Sequence, residues 1–268
     1  MVRRRWHGWL VTRCITVRRS VAATRSELWA ACATARGMAG WQADAVIGDA
    51  AAGREVTLSW PSLNLSVDVH VVEVVSEERL VLVLGQSRLT IVVETGGIQL
   101  IHEGLASEDE EQGMKSAWQG ALGVLAHGLE AHRGRPRRVR WLLQPVETSA
   151  PFAHVYFTEP RALAQWLTRS GGVGSEGSPV ELDLWWGARI SGKVIANTPD
   201  RDLVLSWSND EDSCLALRTL PAPGLPNRRL VALCWSRWSE SDFPSEHVRG
   251  MEGALERLAR VLGRRGKA

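Results

Sequence analysis

The sequence predicts an α+β protein built twice, each copy a curved antiparallel sheet wrapped around a long closing helix. Three observations predict it. The strongest helix signal in the chain lies at Ser107–His132. It returns at Glu246–Leu262, with Ala121 and Ala254 equivalent at a shift of 133 residues. Short alternating segments, the mark of strands, precede each helix. An amphipathic helix that follows many strands must bury its apolar stripe against the sheet they form.

Taken in order, Leu10–Val17 reads as the first strand, and Ser26–Ala33 and Arg36–Trp41 as two short helices. Leu28, Trp29 and Cys32 share one side of the first helix. In Arg54–Trp60, Val56, Leu58 and Trp60 alternate with polar residues, and in Leu65–Val71 valines alternate with Ser66, Asp68 and His70. Leu80–Leu84 and Leu89–Val93 follow, and Gly96-Gly97 turns the chain into Ile98–Glu103. Ser107 and Glu110 form a capping box for the long helix. Its stripe is Met114, Trp118, Leu122, Leu125 and Leu129, while Glu111, Lys115, Gln119 and Glu130 face away. Glu108–Glu111 is an acidic first turn that suits the helix dipole.

The second copy repeats this order. Val139–Pro145 is a strand, Pro151–Phe157 and Arg161–Arg169 are helices, and strands run from Val180 onward. The closing stripe is Val248, Met251, Leu255, Leu258 and Leu262. Arg36 and Trp41 correspond to Arg161 and Trp166 at a shift of 125, and Leu80 to Leu203 at 123. Leu100-Ile101-His102 corresponds to Leu233-Cys234-Trp235 at 133, the extra residues entering with the proline-rich loop Pro221–Gly224. One repeat of this period means duplicated domains, not a solenoid. The expected division is a first domain at residues 1–133, a basic linker at 134–138 and a second domain at 139–268.

At 268 residues, 44% hydrophobic and 23% charged, the chain has the make-up of a globular protein with two domains. A net charge of +2 gives no broad cationic surface for nucleic acid, and the basic run His132–Arg138 reads as a solvated connection. No window approaches eighteen consecutive apolar residues, so no membrane span is expected, and the basic start lacks the features of a signal peptide. Cys14, Cys32, Cys214 and Cys234 show neither a Cys-x-x-Cys pair nor zinc spacing, which points to a reduced, cytoplasmic setting. Thirteen Trp beside one Tyr and three Phe is the unusual feature, suited to large cores or wide apolar pockets.

The run Gly187–Val194, followed by Pro199–Trp207, resembles the START-like superfamily. The nearest group is the SRPBCC proteins similar to the activator of heat-shock-protein-90 ATPase. Ile101–Leu105 before a Trp-bearing helix, and Glu27-Leu28-Trp29 with Trp41 downstream, resemble the same group. The similarity covers nearly the whole chain, as two tandem helix-grip domains. The first copy departs from it at Asp49–Gly53, which lacks the usual Gly-Gly turn. The resemblance implies a cavity between each closing helix and the concave face of its sheet, often used for apolar ligands. It also implies, as an alternative, a co-chaperone role with a chaperone partner. Trp6-His7-Gly8-Trp9 is loosely similar to the Trp/His-rich segment of the eukaryotic activators, without its asparagines.

Alternation selects the residues that would face each cavity. In the first copy these are Trp60, Leu84, His102, Met114 and Trp118, and in the second Trp186, Trp207, Trp235, His247 and Met251. The competing reading is that these side chains fill a core. His102 is the polar residue of most interest, a titratable group on the inner face of its strand, where a polyketide-cyclase-like enzyme would want one. The competing reading is a hydrogen-bonded core histidine. The second copy has Trp235 there, and Glu103 points outward. The expected function is non-enzymatic binding of a hydrophobic small molecule or protein partner, with no catalytic set and no cofactor. The expected form is a monomer with a pseudo-dimeric domain pair, or a dimer. The apolar site is expected to be stronger in the more aromatic second domain.

Other signals fail on context. Gly172-x-Gly174-x-x-Gly177 follows a helix pattern and precedes a strand, the reverse of a dinucleotide fingerprint. Ser175 lacks nucleophile-elbow spacing. His127 and His132 are five apart, off a common helix face, so no metal site is expected.

Overall fold

A computed structural model describes residues 13–222 and 229–265. Trp6–Trp9, the start of the first expected strand and the end of the proline-rich loop lie outside the described residues. The first half runs β1 (Arg13–Ser20), α1 (Arg25–Ala33), α2 (Ala35–Ala39), β2 (Ala45–Ile47), β3 (Glu55–Trp60), β4 (Leu65–Val75), β5 (Arg79–Leu84), β6 (Ser87–Glu94), β7 (Gly97–Leu105) and α3 (Glu108–Ala131). The second runs β8 (Arg138–Val146), α4 (Ala150–Thr158), α5 (Pro160–Leu163), β9 (Thr168–Gly172), β10 (Pro179–Leu184), β11 (Arg189–Thr198), β12 (Asp202–Trp207), β13 (Ser213–Pro221), β14 (Arg229–Arg237) and α6 (Ser245–Arg265). Each half forms a seven-stranded antiparallel sheet, ordered β1-β7-β6-β5-β4-β3-β2 and β8-β14-β13-β12-β11-β10-β9. The fold is α+β, two tandem helix-grip domains.

The repeat extends to details that hold the halves in shape. The Trp41 indole donates to the Ala31 carbonyl at 3.0 Å, and the Trp166 indole to the Tyr156 carbonyl at 2.8 Å. Each tryptophan thus ties the loop after its short helices back to the first of them. The ladder between β4 and β5 shifts register between Val71 and Glu73, and that between β11 and β12 between Val194 and Ala196. A bulge at the same place in each sheet bends it toward its helix.

Three local readings differ from expectation. The expected helix Arg161–Arg169 ends at Leu163, because Leu163, Trp166 and Leu167 all turn into the core and β-branched Thr168 starts β9. The glycine-rich segment after it is therefore a hairpin connection between β9 and β10. At the start of α3, Ser107 caps the Glu110 amide as expected, but Glu110 reaches back to the amide of Ala106, one residue earlier than in a standard capping box.

The larger difference is what surrounds α3. One side grips the first sheet through Leu122 and Leu125. The other lies on the outer face of the second sheet, with Gly120 against Val204, Gly123 against Ile195 and Gly128 against Trp238. Small residues let the helix axis approach that sheet closely. The stack is therefore first sheet, α3, second sheet, α6. Gln119, expected to face away, accepts a hydrogen bond from Thr198 of β11 at 2.9 Å. Strand β12 is buried at every position. Leu203, Leu205 and Trp207 face α6, while Val204 packs with the core of the first half and Ser206 lines a surface cleft with His127, Glu130 and Ala131. Arg137, expected in a solvated connection, is buried at the junction, and Arg138 already pairs within β8.

Candidate functional site

A cavity of about 420 Å³ lies between the concave face of the first sheet, α3 and the outer face of the second sheet. Trp60, Leu84, His102, Met114 and Trp118, the five residues selected by alternation in the first copy, all line it. So do residues that reasoning confined to one copy could not reach. Arg137 and Trp141 enter from the junction and β8, Asp202 and Val204 from β12, and Cys214 and Cys234 from the next strands. Trp41 and Gln42 close one end.

His102 sits on β7 between Ile15 of β1 and Leu89 of β6, and is 5% exposed. The Trp118 indole N–H donates to its Nδ1 at 3.1 Å. Since an indole can only donate, Nδ1 carries the lone pair and the neutral ring carries its proton on Nε2. That Nε2 finds no hydrogen-bond partner among the described residues. Burial pushes the His102 pKa below its ordinary 6.5, with nearby Glu110 partly opposing the shift. Protonating Nδ1 would also break the bond from Trp118. The side chain is therefore a neutral imidazole with a spare donor in an apolar cavity.

The linked stability effect has a definite sign. Below pH 6.5 the unfolded histidine takes up a proton that the folded one resists, so the unfolded state gains stability as pH falls. His127 adds to the same trend, its pKa lowered first by burial. The thermal midpoint should fall between about pH 7.5 and 5.5. His102→Gln, whose amide oxygen can still accept from Trp118, should flatten part of that slope. An unchanged slope in the variant would mean that His102 is not the group responsible.

At the junction, Asp44 accepts the Trp141 indole N–H at 2.8 Å and faces Arg137 at 3.9 Å. Arg137 Nε donates to Ser236 Oγ at 3.1 Å, while its Nη1 has no partner among the described residues. Further along the contact, Ser116 of α3 donates to Asp202 at 2.8 Å, and Asp202 also accepts from Arg218 and the Thr219 amide. Asp109, in the acidic first turn, pairs with Arg201 and Arg229 of the second half.

His127 and His132 do come together, because α3 ends at Ala131 and His132 leaves the helical path as its cap. Their Nε2 atoms meet one acceptor, the Asp212 carbonyl, at 2.5 and 2.9 Å, and His132 stacks on Trp238. Among the described residues no group of three or more histidine, cysteine or acidic side chains could hold a metal.

The second-copy candidates are placed differently. Trp207, Trp235 and Met251 are almost fully buried in the core beneath α6. Trp207 stacks on His247 at 4.9 Å and on Trp235 at 5.6 Å, and Trp235 meets Phe243 edge-on. The Trp207 indole donates to the Arg189 carbonyl, and the Trp235 indole to Asp210 and Ser213. Trp186 presses on α6 at Gly250, where an added Cβ would lie 2.2 Å from the indole. These rings pack on one another, and the cavity described above lies against the concave face of the first sheet, not beneath α6. The expectation of a stronger site in the second half reads the extra aromatic bulk as lining, where the structure uses it as filling.

A strand, two short helices, six antiparallel strands and a long helix laid in the concave face occur here in that order in both halves. The chain has the START-like helix-grip fold, twice. No family model and no curated protein matches it. Among solved structures, DynU16, from the dynemicin biosynthetic locus, is 17% identical over 93% of this chain and 98% of its own, with a TM-score of 0.39. The di-domain ARO/CYC BexL, from the BE-7585A biosynthetic pathway, is 10% identical over 93% and 98%, with a TM-score of 0.40. The Aha1 dimer from Colwellia psychrerythraea is 15% identical over 46% of this chain and 99% of its own, with a TM-score of 0.40. Among the described residues no helix is long and apolar enough to cross a membrane.

Proposed function

We propose that this protein binds a hydrophobic small molecule in the cavity of its first half, and does so in the cytoplasm, as the cysteine pattern suggests. The supporting observation is the cavity itself. About 420 Å³, walled mainly by indole and aliphatic side chains with a few polar groups, is the size and character of a small-molecule site. The aromatic excess is thereby divided between the halves. Trp60 and Trp118 line a space, whereas Trp207 and Trp235 fill one. Native mass spectrometry of the protein purified from its own host is expected to show a co-purifying molecule that dissociates on denaturation. A chain of bare mass, with no binding across a panel of apolar aromatics, would overturn the proposal.

One observation favours a second reading, a polyketide-cyclase-like enzyme. His102 Nε2 has no partner among the described residues, and a neutral imidazole in a cavity can donate and then recover a proton. The two readings part on one variant. As a residue that only shapes the pocket, His102→Ala costs about 1–3 kcal/mol of stability through the orphaned Trp118 donor. As a general acid, its loss abolishes turnover of a captured ligand while the fold persists.

A further inference from the structure

The cavity is open to a more specific reading, which rests on the proposal that it binds an apolar molecule. We propose that its ligand is an aromatic acid whose carboxylate is held by Arg137, so that the site is complete only when both halves are docked. Arg137 lies where the first half hands over to the second, with its side chain only 6% exposed. A guanidinium carries five N–H donors and cannot be deprotonated in a protein, so burying it demands acceptors. Ser236 takes one donor, and Nη1 has no acceptor among the described residues. Its counter-charge is incomplete. The Asp44 carboxylate stands 3.9 Å away, beyond hydrogen-bond reach, and its other oxygen is engaged by Trp141. A buried cation with a free donor beside an apolar cavity is matched by an anionic oxygen on an apolar body.

Two further wall groups agree. His102 offers a second donor through Nε2. The Gln42 side-chain oxygen is also unpartnered among the described residues, and an amide can exchange its oxygen and nitrogen ends by a flip, so it can serve either oxygen of an acid group. The rest of the wall includes the indoles of Trp41, Trp60, Trp118 and Trp141, which suit the faces of a flat ring system. The first half alone would present this space to solvent on the side that β12, β13 and β14 close.

The test compares 2-naphthoate with its neutral analogue 2-methylnaphthalene by equilibrium dialysis against the full chain. The acid is expected to bind tighter by about tenfold or more, the usual worth of a charge-assisted hydrogen bond. Arg137→Met should erase that advantage and leave 2-methylnaphthalene binding within about twofold of its starting value. Asp44→Asn keeps an oxygen for Trp141 but removes the competing charge, so it should widen the advantage. This second variant reports in the opposite direction and does not depend on Arg137→Met folding. Equal affinity for the two probes, an advantage that survives in Arg137→Met, or one that narrows in Asp44→Asn would overturn the assignment while leaving the apolar cavity intact. Binding of neither probe would remove the cavity reading and this one with it.

Discussion

Trp207→Ala is expected to lower the unfolding free energy by about 3–5 kcal/mol, and Trp60→Ala by markedly less. Trp207 is 1% exposed and packed on its faces by His247 and Trp235, and its indole nitrogen is satisfied by a strand carbonyl. Truncation there leaves an indole-sized void in an interior that is already filled, and the cost grows with the void. Trp60 is half-buried and faces the open cavity, so part of its surface has no packed neighbour to lose. Trp60→Ala should instead weaken apolar ligand binding. Urea unfolding of both variants, followed by far-ultraviolet circular dichroism, separates the two roles. Equal losses at both positions would contradict the assignment of a filled second interior and a lined first one.

Much of this fold is legible in the sequence because period and spacing carry it. The stripe on α3 and its return on α6, the alternation through β3 and β4, and the paired Trp41 and Trp166 all follow from local pattern. The five first-copy cavity residues follow too, Trp60, Leu84 and His102 because inward positions on a strand are fixed by parity, and Met114 and Trp118 because they share the apolar stripe of α3. What alternation cannot supply is what lies outside a sheet. A second face covered by another domain leaves its mark as near-continuous apolar runs, and Leu203–Leu205 and Val231–Cys234 carry that mark. So do the glycines of α3, which read as helix-weakening until Ile195 and Val204 are seen against them. Arg137 shows the same gap from the polar side. A basic, proline-bearing run suggests solvent, and only the fold of both halves buries one of its arginines. The difference between an indole that lines and one that fills is not a property of the sequence position at all. It depends on the summed volume around it, as the contrast between Trp60 and Trp207 shows.

Gly123→Leu should separate the halves, with a loss of about 3 kcal/mol. A Cβ at residue 123 would stand 2.6 Å from Cγ2 of Ile195, which is 2% exposed on the bulged strand β11 and has no room to retreat. A whole isobutyl group would have to displace the second sheet from α3, and the contacts of Gly120 with Val204 and of Ser116 with Asp202 would open along with it. The far wall of the cavity would be lost as well, so ligand binding should fall with docking even though no cavity residue is changed. Two controls isolate the cause. Gly113 lies on the same helix, and a Cβ added there would meet nothing within 4 Å, so Gly113→Ala should stabilise by about 0.5–1 kcal/mol through helix propensity alone. Gly123→Ala combined with Ile195→Ala should be less destabilised than the sum of the single changes, since each relieves the other's fault. Small-angle scattering should show Gly123→Leu with a larger radius of gyration than the parent at equal oligomeric state. A Gly123→Leu protein of unchanged radius and stability would mean that α3 does not rest on the second sheet as described, and the composite cavity would fail with it.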